Sequence, residues 1–410
     1  MREQSFMIVI PKDQSVVDDP NGFLDNLAAN EHIKIQNVDM DEERGMVIDL
    51  EVDGKPHQIN VAPTDVDVPP FVRPEHIFTE EEYEMIDAAK AGIIVCMDFD
   101  NENARCFHDQ LRIIDAMFPD ILAVLDCPSE KLLSGVWVAL AAQSDTPPSP
   151  RYLFTVQAIS GDNDEVWLHS HGLKRCGMYE LEILCSDSEM CNEHYRIIES
   201  FAFQMIENEE AFEPGEAVFV AQISRSYVVC TAVDWKEALK FYPEATLGTE
   251  EDRDDDVHGE DTYVLMMYNN PDDEKARKYS RIQLVNPHLK NNPMFLFSNS
   301  ETERMKKLAV ERIPYMKMGF ENKDNKVIVK IGLITDKEYW KDDKPQREHI
   351  WFELKEVKED SIVAELTQEP YYVSGIKTGD TGTYPFSDIT DWLIYTKDGN
   401  ITPDDAYRLI

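Results

Sequence analysis

From Lys326 to its end, the chain is written in short apolar runs that stop at turn chemistry. That pattern restricts this part to β-structure. Lys326-Val327-Ile328-Val329-Lys330-Ile331 alternates polar and apolar residues, as a strand buried on one face does. Glu348-His349-Ile350-Trp351-Phe352-Glu353-Leu354 and Ile362-Val363-Ala364-Glu365-Leu366 are further short runs, and Glu369-Pro370, Gly379-Asp380 and Pro385-Phe386 supply turns. One helix is expected ahead of them on Met305, Leu308, Ala309 and Ile313, stopped at Pro314, because proline lacks the amide hydrogen a helix interior needs. Five or six short strands with one helix predict a β-rich module over 301–410, either a small barrel or a curled antiparallel sheet.

Upstream, Phe6–Ile10 reads as a buried strand. Phe23, Leu24, Leu27 and Ala28 fall at helical spacing behind Asp18, Asp19 and Pro20, which can cap and start a helix. Asp53-Gly54 stands between two strand-like runs, Gly45–Val52 and His57–Val61. Both central positions of such a hairpin turn need positive φ, which these residues tolerate. A small α+β unit over 1–75 is expected, closed by a linker-like passage at Pro63, Pro69, Pro70 and Pro74.

Residues 76–300 predict a larger mixed α/β body. Thr79 ahead of Glu80, Glu81 and Glu82 is a helix start. Strands are expected at Gly92–Met97, Ile121–Leu125, Tyr152–Ile159, Glu165–His171, Ala217–Ile223, Tyr227–Val233 and Tyr263–Tyr268, with Ile282–Val285 also extended. Helices are expected at Ala104–Phe118, Leu132–Ala142, His194–Glu207 and, briefly, Trp235–Phe241. Glu250–Asp261 holds eight acidic residues and one arginine; its self-repulsion predicts a mobile surface loop. The fold class is α+β.

Charge narrows the function. Eighty Asp and Glu stand against 40 Lys and Arg, a net charge of −40. A field of that sign repels phosphate backbones and anionic lipid, so nucleic acid and membrane surfaces are not expected partners, whereas a basic protein is. The apolar run Phe6–Ile10 is too short for a signal peptide or a membrane span. Seven scattered cysteines show no disulfide framework, which points to a reducing compartment. A soluble cytoplasmic protein is expected.

No dinucleotide fingerprint, P-loop, nucleophile elbow or zinc-protease helix occurs. Asp98-Phe99-Asp100 follows a strand and resembles a phosphotransfer motif, but the residues after it read as a helix start. Cys106 and His108 share a helix but sit two apart, on different faces. The main chemical candidate is His169-Ser170-His171: a strand sends alternate side chains to one face, so His169 and His171 converge with Trp167. With Cys176 they form a candidate metal set, and zinc is the ion such ligands would take; otherwise no cofactor is expected. Arg175 offers an anion-facing group beside them. In the C-terminal module Glu348, His349, Asp388, Asp391 and Trp392 are candidate ligand-binding residues, against a plainer reading in which Asp388 caps a turn and Trp392 packs inward.

Two resemblances cover nearly the whole chain. Glu348-His349-Ile350-Trp351, Glu369-Pro370, Gly379-Asp380 and Asp388-Ile389-Thr390-Asp391-Trp392 resemble a bacterial module called domain of unknown function 2314 (YegJ-like). Phe78-Thr79-Glu80-Glu81-Glu82, Trp167–Leu173 and Glu180-Leu181-Glu182 resemble the bacterial domain of unknown function 4026, which precedes that module and would span 1–300. Gly399–Asp405 departs from the glycine-rich segment that often ends the first family. Neither resemblance implies an activity, although related small modules stand near toxin–immunity loci. Two functions therefore remain. One is a non-enzymatic binding protein whose acidic surface meets a basic partner, immunity-type neutralisation of a toxin being one form. The alternative is a metal-assisted hydrolase built on His169 and His171.

Overall fold

A computed structural model describes residues 2–161, 164–223, 226–253, 261–290, 294–296, 300–340 and 343–410. The chain divides into two units, Met1–Ala142 with Ser149–Ser298, and Gln143–Pro148 with Asn299–Ile410. Among the described residues there are three sheets with helices beside them, an α+β architecture.

The first sheet holds β1 (Ser5–Pro11), β2 (Ile33–Asp41), β3 (Gly45–Val52), β4 (Lys55–Asp65), β5 (Arg73–Pro74), β6 (Ala91–Met97), β7 (Ile121–Asp126) and β8 (Lys131–Ser134). Their order is β2-β3-β4-β6-β1-β7-β8-β5, and only β5–β8 is parallel. The proline passage does not end this sheet, since β4 pairs with β6 from Ile59↔Met97 to Asp65↔Ala91. The physical reason lies in β1. Its Met7, Val9 and Ile10 are fully buried, and both neighbours that satisfy its backbone, β6 and β7, lie beyond residue 75.

Local chemistry sets the helices. In α1 (Pro20–Ala29) the Asp19 carboxylate accepts the Gly22 amide at 3.0 Å. In α2 (Glu80–Ala88) Thr79 and Glu82 close a reciprocal cap, and Ile86 packs with Ile10, Leu122 and Leu132. Next come α3 (Asn103–Met117) and α4 (Gly135–Ala142). The expected helix Leu132–Ala142 is thus helical from Gly135, while Leu132–Ser134 belongs to strand β8. A run apolar on every side carries no period that separates helix from buried strand. Gly135 makes the switch, because a Cβ there would lie 1.9 Å from the Ile121 carbonyl oxygen.

The second sheet runs β16-β12-β13-β14-β11-β10-β9, with β15 beside β14. Its strands are β9 (Thr155–Ser160), β10 (Glu165–His171), β11 (Glu180–Asp187), β12 (Val218–Ile223), β13 (Ser226–Asp234), β14 (Thr262–Met267), β15 (Ser280–Arg281) and β16 (Met294–Leu296). Helix α5 (Cys191–Asn208) buries Ile197, Ile198, Phe201 and Met205 beside it. Three short helices follow, α6 (Trp235–Ala238), α7 (Pro271–Lys275) and α8 (Asn286–Leu289); Ile282–Val285 is a 3-10 turn rather than extended.

The second unit opens on two helices, α9 (Ser300–Glu311) and α10 (Ile313–Glu321), where one was expected. Pro314 sits in the first turn of α10, a position whose amide has no helical partner, so it starts a helix as readily as it stops one. The strands are β17 (Lys326–Ile334), β18 (Arg347–Val357), β19 (Ser361–Leu366), β20 (Thr381–Pro385), β21 (Ile389–Thr396) and β22 (Gly399–Ile401). They form an open antiparallel sheet, β20-β19-β18-β17-β21-β22, with no barrel closure. The alternation read in the sequence holds: Val327, Val329 and Ile331 are buried against Ile350, Phe352 and Trp392. Glu311 accepts from Ser144 and from the Asp145 and Thr146 amides, which ties 143–148 to α9.

Candidate functional site

Strand β10 does bring His169 and His171 together. Their rings meet edge to face with centroids 4.7 Å apart, and Trp167 lies 5.0 Å from His169. Both histidines are buried, His169 at 2% exposure. Register places Gln157 of β9 and Glu182 of β11 directly across from His169, so all three share a face. His171 Nδ1 lies 3.9 Å from Glu130, whose carboxylate also accepts from Gln157; burial pushes the Glu130 carboxyl up. Glu182 is held by both guanidinium nitrogens of Arg253 at 2.8 and 2.7 Å. That guanidinium stacks 4.0 Å from the Trp235 ring. Arg253 therefore leaves the acidic run to join the interior. Glu250–Asp252 form a 3-10 turn, and the mobile loop expected from this run falls largely on 254–260, outside the described residues.

Arg175 is not an anion-facing edge. It is fully buried, in a two-pronged pair with Asp126 at 2.6 and 2.8 Å, and it also donates to Ser5 Oγ and to the Tyr152 and Leu153 carbonyls. A guanidinium with both terminal nitrogens committed inside the protein has none of them to offer a ligand. Cys176 lies past Gly172, whose φ of 110° turns the chain out of β10. Burial pushes its thiol up to about 12. Among the described residues no three His, Cys, Asp or Glu side chains gather in a way that would hold a metal ion. Glu180 closes the same turn, accepting from Ser170 Oγ at 2.5 Å and from the Gly172 and Lys174 amides.

The C-terminal candidates separate. Trp392 is fully buried and donates its indole hydrogen to the Ala309 carbonyl at 3.0 Å; it belongs to the core of the unit. Glu348 accepts the Tyr371 and Tyr372 amides at 2.7 and 2.8 Å, bracketing a loop. The other three stay together on one sheet face. His349 contacts Thr390 at 3.0 Å, Asp388 meets Arg347 at 3.3 Å, and Asp391 lies 3.9 Å from Lys330. Lys330 in turn rests 5.0 Å from the Trp351 ring. Burial and neighbouring cations hold the His349 imidazole below its ordinary value.

One cluster escaped the sequence reading. Lys55 Nζ lies 2.9 Å from Asp100, 2.6 Å from Glu102 and 3.6 Å from Cys106 Sγ, while His57 meets Asp109 at 2.9 Å. Its only local signal is the two-residue spacing of Lys55 and His57, which puts both on one face of β4. Burial raises the Cys106 thiol to about 11, so the cluster holds a protonated thiol rather than a nucleophile. Asp100 accepts the Glu102 amide at 2.8 Å, a loop-closing role and not a phosphotransfer one. His108 turns away to the Ala141 carbonyl at 2.9 Å.

Polar chemistry inside the first unit is thus largely spent on itself, whereas its exposed charge is one-sided. Residues 1–300 carry 58 Asp and Glu against 23 Lys and Arg, while 301–410 carry 22 against 17. Within the acidic part, a cavity of about 150 Å³ opens between α1 and the end of α3, lined by Pro11, Val16, Phe23, Met117, Phe118 and Pro119, with Asp13, Asp19 and Asp120 among its other residues.

Family comparison agrees with this division. The chain matches the model of the protein of unknown function DUF4026 in its N-terminal part over residues 5–148 and in its C-terminal part over 156–266. Residues 301–402 match DUF2314, described as an uncharacterized protein conserved in bacteria. The chain belongs to the DUF4026 family and carries a DUF2314 module behind it. No curated protein and no solved structure matches it. Among the described residues no helix is long and apolar enough to cross a membrane.

Proposed function

We propose that the chain is a binding protein whose acidic first 300 residues dock a basic protein partner, immunity-type neutralisation of a basic toxin being one form of this. The observation that carries the reading is the uneven charge, 58 acidic against 23 basic residues in that part, beside His57, Arg175 and Arg253, each buried against a carboxylate. Opposite charge steers encounter and suppresses wrong partners. The test is to capture partners from a cell extract at low salt, identify those that elute as salt rises, and titrate the purified partner at about 0.05 M and 0.5 M salt, where the Debye length shrinks severalfold. A basic partner whose affinity falls steeply with salt supports the reading. Binding indifferent to salt, or substrate turnover at the His169–His171 face, refutes it.

A further inference from the structure

The cavity beside α1 has a shape and a rim that define what fits it. Its floor is apolar and firmly held: Phe23 and Phe118 meet edge to face at 4.8 Å, Met117 is fully buried, and Asn26 ties α1 to the end of α3 by donating to the Met117 carbonyl at 3.0 Å. About 150 Å³ of apolar space takes a group the size of benzene, which is one Leu, Met or Phe side chain. Around it Asp13, Asp19 and Asp120 are exposed. Asp13 and Asp19 are fixed in place by accepting the Ser15 and Gly22 amides, so their outward charge is pre-positioned. Asp120 pairs with exposed Lys12, at 3.3 Å, a contact that costs little to exchange.

We propose that this pocket seats one apolar side chain of the basic partner, with lysines or arginines on either side of that residue meeting Asp13, Asp19 and Asp120. The inference rests on the basic-partner reading above and names its anchor point. An apolar anchor inside a charged rim is how interfaces concentrate affinity. The rim alone would bind any cation, whereas the cavity selects one with an apolar neighbour.

Three short peptides test it against the full chain by calorimetry: a leucine flanked by two lysines on each side, the same peptide with serine for leucine, and a leucine flanked by glutamates. The lysine–leucine peptide is expected to bind about tenfold or more tighter than its serine counterpart, the value of burying one such side chain. The glutamate peptide is expected not to bind. Val16→Trp, which fills the cavity, should abolish the leucine–serine difference while leaving weak binding of both. Asp120→Lys should weaken both lysine peptides and keep the preference for leucine. Equal binding of the leucine and serine peptides, or a preference that survives Val16→Trp, overturns the pocket and leaves the basic-partner reading standing. Failure of both lysine peptides to bind at low salt sinks the two together.

Discussion

Replacing Arg175 by methionine tests how the first unit is held together. In the wild-type chain Asp126 and Arg175 are both fully inaccessible, and the guanidinium makes five hydrogen bonds, two of them to that carboxylate. Methionine fills much of the volume but leaves Asp126 with Ser129 as its remaining side-chain donor and strips the Tyr152 and Leu153 carbonyls of a donor. Breaking one side of a buried ion pair costs about 3–5 kcal/mol, and each abandoned buried acceptor adds about 1 kcal/mol or more. Hydrogen exchange read by mass spectrometry over 121–134 and 170–185 gives the local value. At about 1.4 kcal/mol per decade, exchange there should accelerate by about four to five orders of magnitude. The double variant Arg175→Met with Asp126→Leu should recover part of that loss, since it removes the stranded charge. Acceleration of less than about fivefold in the single variant, a cost below about 1 kcal/mol, would refute the reasoning.

Three further outcomes follow from particular residues. Gly172→Ala should lower the melting temperature far more than Gly54→Ala: both have positive φ, but a Cβ at 172 lies 2.5 Å from the Leu153 carbonyl oxygen and one at 54 meets nothing, so the first adds a clash to a strain of about 1–3 kcal/mol. Lys131 is buried and its ammonium is pushed from 10.5 down to about 8, chiefly by loss of water. Between those values the unfolded chain binds more protons, so this group's contribution makes stability rise with pH across the window; urea midpoints should show that rise in the wild type and a flatter profile in Lys131→Met. Elemental analysis of the purified protein should find no stoichiometric zinc, and chelator dialysis should leave the melting temperature unchanged; one zinc per chain, lost in His169→Ala and His171→Ala, would revive the hydrolase reading.

Local chemistry was readable from the sequence where the cause is local. The Thr79–Glu82 cap, the Asp53-Gly54 turn, strand Glu165–His171 and the alternation of Lys326–Ile331 each follow from residues within a few positions of one another. The proximity of His169 and His171 followed from strand geometry alone. What escaped depends on partners far along the chain. β1 draws its neighbours from around residues 93 and 123, and nothing near Phe6 announces that. Arg175 reads as a free cation until Asp126, 49 positions away, takes it. Trp392 reads as inward-packing already in the sequence, whereas Asp391 meets Lys330 only through the pairing of β21 with β17. Leu132–Ala142 reads as one helix and is helical from Gly135; its apolar start carries no period that marks it as strand.

The central claim is that binding runs through the acidic surface of residues 1–300, and calorimetry with a purified basic partner and two charge-neutralised chains tests it most directly. One chain carries Asp18→Asn, Asp25→Asn and Glu42→Gln, and the other Glu356→Gln, Glu359→Gln and Asp398→Asn, all six residues being exposed. The first set should weaken binding severalfold at low salt and the second should leave it within error of wild type. Equal losses from both sets, or none from the first, would contradict the account.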